Sequence, residues 1–112
     1  MDEIKRKVQR LKFWRMNLSS SIEKFDEESA GAKILYRLYV LSGCVIMAFE
    51  YAFGNSRKAY KMMKAELAEL CNSEAFRVYS KLNHSLQEPV VDEETHKHIA
   101  ILNQVLDNLI AQ

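Results

Sequence analysis

A chain of 112 residues that is 48% apolar, with three glycines and one proline, has the size and regularity of one folded domain, which excludes a low-complexity or largely disordered polypeptide. Sixteen Lys and Arg against fifteen Asp and Glu leave a net charge of +1, so bulk charge pulls the chain neither toward nucleic acid nor away from it. Cys44 and Cys71 are the only cysteines; both lie in apolar helical patterns, which predicts core packing rather than a disulfide framework or thiol catalysis.

The first segment spaces Ile4, Val8, Leu11, Arg15, Leu18, Ile22 and Phe25 by alternating fours and threes, the seam of an amphipathic helix interrupted once by Arg15. Ser19-Ser20-Ser21 weakens its middle, and Ser20 with Glu23 has capping-box spacing, so either a break or a kink is expected there. Lys5, Arg6, Lys7, Arg10, Lys12 and Arg15 face only Asp2 and Glu3 over the first fifteen residues. That is a candidate basic patch, with Lys5, Arg6 and Arg10 as phosphate contacts for RNA and Phe13 and Trp14 as stacking or packing surfaces. A charged rather than hydrophobic beginning predicts no signal peptide, and with two free thiols it predicts a reducing, cytoplasmic setting.

Ser29-Ala30-Gly31 separates this helix from a second, Ala32 to Phe53, which is apolar nearly all round and therefore belongs at the centre of a bundle. Gly43 inside it costs about 1 kcal/mol of helix propensity relative to alanine, which implies that something packs close against its backbone. Its uncharged run, Leu38 to Phe49, is shorter than the ~20 residues of a membrane span and is bracketed by Arg37 and Glu50, so no membrane crossing is expected.

Gly54-Asn55-Ser56 supplies a stop and a new cap. A third helix then runs to about Cys71, with Ala59, Met62, Met63, Leu67 and Leu70 opposite Lys58, Lys61 and Lys64; the methionines, with Met47, are read as core fillers. Asn72-Ser73 caps a fourth helix whose apolar side is Ala75, Phe76, Tyr79, Leu82 and Leu86, and which Pro89 ends. Asp92 caps the last, with Glu93 and Glu94 in its first turn and Ile99, Leu102, Val105, Leu106 and Leu109 as its buried stripe. No strand pattern, repeat or linker appears. The expectation is one all-α domain over residues 1–112, a compact bundle of about five helices around a nearly fully apolar second helix.

Arg77 and His84 on the fourth predicted helix are seven residues apart, nearly two turns, so they share a face about 10 Å apart along the axis, with Lys81 between them. A guanidinium that can hold a phosphate beside an imidazole that can move a proton near neutral pH suits metal-free cleavage of an RNA phosphodiester. The segment Arg77-Val-Tyr-Ser-Lys-Leu-Asn-His84, on the fourth of about five helices, resembles the HEPN superfamily, although Val78 stands where members commonly carry Asn, Asp or His. The resemblance implies a metal-independent ribonuclease, toxin or defence protein in which Arg77 and His84 meet at a homodimer cleft, Arg77 stabilising phosphate charge and His84 transferring the 2′-hydroxyl proton. The same face also fits a solvated amphipathic helix laced by weak charge pairs.

His96 and His98 lie two apart and point to different sides of the last helix, without the i,i+4 spacing of helical metal sites. Surface histidines are expected, and no metal or cofactor is implied. The five tyrosines, Tyr36, Tyr39, Tyr51, Tyr60 and Tyr79, suit a partly wet interface with a protein partner or a second copy. Set against the ribonuclease, the alternative is a non-catalytic helical interaction module such as an inhibitor, immunity protein, small subunit or adaptor.

Overall fold

A computed structural model describes residues 2–24, 29–51, 56–74, 76–77 and 89–112. Among them are four long helices: α1 (Asp2–Ile22), α2 (Ala30–Tyr51), α3 (Ser56–Cys71) and α4 (Pro89–Ala111). They form an all-α bundle of 42 × 24 × 20 Å. Successive helices pack side by side, α1 closes the ring against α4, and α2 also touches α4 across the centre.

The core follows the sequence stripes. Ile4, Val8, Leu11 and Leu18 of α1 meet Ile34, Leu35, Leu38 and Val45 of α2, Leu67 and Leu70 of α3, and Leu102, Val105 and Leu106 of α4. Each such side chain contributes roughly 1.5–3 kcal/mol when taken out of water.

Several expectations shift in detail. Helix α1 runs unbroken through the three serines to Ile22, where the Ser21 hydroxyl donates back to the Asn17 carbonyl at 3.2 Å; that local bond occupies the serine without opening the helix. Phe25 lies outside the described residues. Helix α2 begins two residues earlier than expected because Ser29 is its cap: the Ala32 amide donates to Ser29 Oγ at 3.2 Å and the Lys33 amide to the Ser29 carbonyl.

In α3 the buried stripe is Tyr60, Leu67 and Leu70 with Met63 partly covered, rotated from the expected one. Met62 is outside, and the Lys64 ammonium contacts Asp107 on α4. Pro89 opens α4 rather than only ending the preceding segment, since its missing N–H costs nothing in a first turn. The far end of α4 is tied down by Arg57, whose guanidinium donates to the Ile110 and Gln112 carbonyls at 2.9 and 3.2 Å.

Ser73 does cap a helical turn after α3, accepting from the Phe76 amide at Oγ (3.2 Å) and from the Arg77 amide at its carbonyl. Phe76 packs against the core. The rest of the predicted fourth helix, residues 78–88, lies outside the described residues.

Candidate interaction surface

The basic first helix spreads its charge around its circumference. Lys5, Arg6 and Arg10 are exposed as expected. Lys7 pairs with Glu3 at 3.6 Å and Lys12 with Glu50 of α2. Arg15, the interruption in the seam, turns inward: Nε donates to the Tyr39 carbonyl at 2.9 Å and the guanidinium stacks 3.7 Å from the centre of the Tyr39 ring. This is what presses on Gly43. A Cβ there would stand 2.6 Å from one Arg15 nitrogen, so the glycine makes room for the guanidinium.

Trp14 packs against the core with Lys97 over its ring at 5.7 Å, and Phe13 meets it edge-on but stays exposed. Arg77 is exposed in the turn that Ser73 caps. Lys81 and His84 lie outside the described residues, as does Tyr79, so the geometry of the Arg77 and His84 pair is not part of this structure.

The histidines of α4 separate. His96 is exposed, whereas His98 is 1% exposed, in the interior, contrary to the surface position expected for both. Its position is three or four residues before Ile101 and Leu102 on the buried stripe, and extending that stripe backward through Thr95 would have found it. Neither ring nitrogen has a hydrogen-bond partner. Loss of solvation is the chief cause that lowers its pKa to about 4, and the Arg15 charge acts in the same sense; the Leu38 carbonyl acts in the opposite sense but sits too poorly for a normal bond. That carbonyl already accepts from the buried Ser42 hydroxyl at 2.8 Å.

Helix α2 departs furthest from expectation. One side of it reaches the surface: Tyr36, Val40, Cys44, Met47 and Tyr51 are all exposed. Cys44 is therefore not a core residue, and neither Met47 nor Met62 of α3 fills an interior gap. Cys71 is partly buried, and its burial raises the thiol pKa. Between α2 and α3 runs an open groove of ≈ 450 Å³ floored by Val40, Leu41, Ala59 and Met63, with Tyr36 and Met62 (59% and 60% exposed) on its walls and Arg37 and Glu66 at its rim. A second depression on the α1 side of the same face involves Met16, Gly43 and Met47.

Allowing its few charges, the stretch Gly31–Tyr51 is long and apolar enough to cross a membrane, which the uncharged run alone did not suggest; 56% of its most apolar window is buried in the bundle. Among the described residues no three His, Cys, Asp or Glu side chains converge on one point.

Searches against protein-family models, curated proteins and solved structures return no match for this chain.

Proposed function

We propose that this protein is a helical interaction module whose working surface is the outer face of α2 with its groove to α3. The observation that carries this reading is the exposed row Tyr36, Val40, Cys44, Met47 and Tyr51, continued by Met62. Scattered surface apolar residues need no explanation, but a contiguous apolar patch framed by charges marks a protein-binding site. Tyrosine and methionine are the residue types such sites favour, one giving rigid area with a polar tip, the other an adaptable thioether. An amphipathic helix laid along the groove would seat apolar side chains at i, i+3 and i+4 between α2 and α3.

The test is site-specific photo-crosslinking in the native cell. A photoreactive phenylalanine in place of Tyr36 gives one discrete adduct, lost on Val40→Glu, while the same group in place of exposed Lys58 gives none. Diffuse or absent adducts at position 36 would overturn the reading.

The metal-independent ribonuclease is a second proposal. It rests on the resemblance of Arg77 to His84 to the HEPN motif and on the exposure of Arg77 at the surface, where a phosphate could reach it, with Lys5, Arg6, Arg10 and Lys81 as RNA contacts. Purified wild type then cleaves RNA in excess chelator and folded His84→Ala does not. Absence of cleavage by the wild type sinks it.

A further inference from the structure

The flank where α1 meets α4 carries a depression apart from the α2 face. Its volume is ≈ 360 Å³, in the lower range of small-ligand sites, and it is lined by Arg10 and Trp14 of α1 with Lys97, Ala100, Ile101 and Gln104 of α4. Arg10 and Trp14 lie one turn apart on α1, and Lys97, Ala100 and Gln104 follow one another along one side of α4. Buried Ile101 is the floor. Ala100 is exposed, and its single methyl group leaves open the space between Lys97 and Gln104.

The chemistry of this lining is specific. Among the described residues two cations and no carboxylate line it. Glu3 on α1 is held by Lys7, and Asp107 on α4 contacts Lys64 of α3. Arg10, and Arg6 one turn before it, have no carboxylate partner among the described residues, so the flank is positive and ready for an anion. Trp14 adds what a bare anion does not need. Its indole is partly buried, with the Lys97 ammonium over the ring at 5.7 Å. A base stacked on an aromatic ring is held more strongly than an exposed cation over it, so an incoming base takes the indole face and Lys97, on its flexible stem, turns to the phosphate. The Gln104 amide offers both a donor and an acceptor to the edge of the base.

We infer that the α1 and α4 flank is a binding site for a nucleotide, with its base on Trp14 and its phosphate between Arg10 and Lys97. The inference is independent of the α2 docking face, and it holds whether or not Arg77 and His84 form a ribonuclease centre. The same chemistry is offered by a free nucleotide and by one unit of a single strand; in a strand, Arg6, about 6 Å further along α1, takes the neighbouring phosphate.

Trp14 is the only tryptophan of the chain, so its fluorescence reports on this depression. Adenosine 5′-monophosphate added to the purified full chain quenches it saturably, while adenosine alone and inorganic phosphate alone compete at least about tenfold more weakly. Arg10→Ala removes the phosphate contact and Ala100→Leu fills the space; each weakens binding at least about tenfold, with the circular dichroism spectrum unchanged because both positions are exposed. Lys58→Ala, on α3, leaves binding as it is. A six-nucleotide deoxyadenylate strand, which lacks the 2′-hydroxyl that the ribonuclease proposal needs, separates the two sources. Tighter and strongly salt-dependent binding of the strand assigns the site to single strands, and binding no tighter than that of the monophosphate assigns it to free nucleotides. No saturable quenching by either ligand overturns the inference. So does inorganic phosphate that competes as well as the monophosphate, or an Ala100→Leu chain that binds like wild type. A chain that binds the monophosphate but cleaves no RNA loses the ribonuclease reading and keeps this one.

Discussion

Burying His98 without a hydrogen-bond partner fixes the sign of a pH effect. Its folded pKa of about 4 lies below the ordinary 6.5, so between those values the unfolded chain takes up a proton that the folded chain refuses. Stability contributed by the neutral ring is complete above pH 6.5 and is lost as the pH falls toward 4, by an amount on the order of 3 kcal/mol. Urea titrations at pH 7 and pH 4.5 should show the loss in wild type and a clearly smaller one in His98→Leu. At pH 7 the leucine variant should be at least as stable as wild type, because it removes a buried polar group that nothing satisfies. A His98→Leu chain as acid-sensitive as wild type would place the sensitivity elsewhere.

At the scale of elements, the join between α1 and α2 depends on one exchange: Arg15 enters where Gly43 leaves space. Arg15→Ala forfeits a charged hydrogen bond to the Tyr39 carbonyl and the stacking on its ring, a loss of about 2 kcal/mol. Gly43→Ala in wild type gains helix propensity but displaces the guanidinium, so its net effect should be neutral or unfavourable. In the Arg15→Ala background the same change should stabilise by about 1 kcal/mol, and the difference between the two backgrounds, read from melting curves, is the coupling. Equal effects in both would show that the arginine yields freely.

Much of this element-level order is visible in the sequence. The stripes of α1 and α4 follow helical periodicity, Ser29 and Ser73 stand where caps are needed, and the cost of Gly43 announces a close neighbour. The identity of that neighbour is not visible, since nothing local says that Arg15 points inward. The rotation of α3 is not legible because Ala59 and Met62 fit a stripe with Met63, Leu67 and Leu70 as well as Tyr60 does; only the position of α2 and α4 decides between them.

Across the whole molecule, composition identified α2 as the most apolar helix but could not say that one face would stay in solvent. Among the described helices three pack against α2, and the face left over is readable only once α1, α3 and α4 have taken their sides. The spacing of Tyr36, Val40, Cys44, Met47 and Tyr51 was in the sequence, yet periodicity alone does not distinguish a buried seam from an exposed one. Because Val40 on that seam is exposed, Val40→Glu should change the stability of the isolated chain by no more than about 0.5 kcal/mol, read from urea titration. A clearly larger loss would mean that this face is covered within the bundle.

The pairing of α1 with α4 carries a consequence for the order of assembly. These are the first and the last described helices, and their mutual contact is the most extensive between any two. A chain emerging from the ribosome can match α1 with α2 early, but Ile4, Val8 and Leu11 keep an open flank until residues 98–109 are made, so the fold closes by a long-range step that comes last. Chains halted before that point would display α1 to whatever binds nascent helices, and the bundle's vulnerability would lie in its synthesis more than in its finished form.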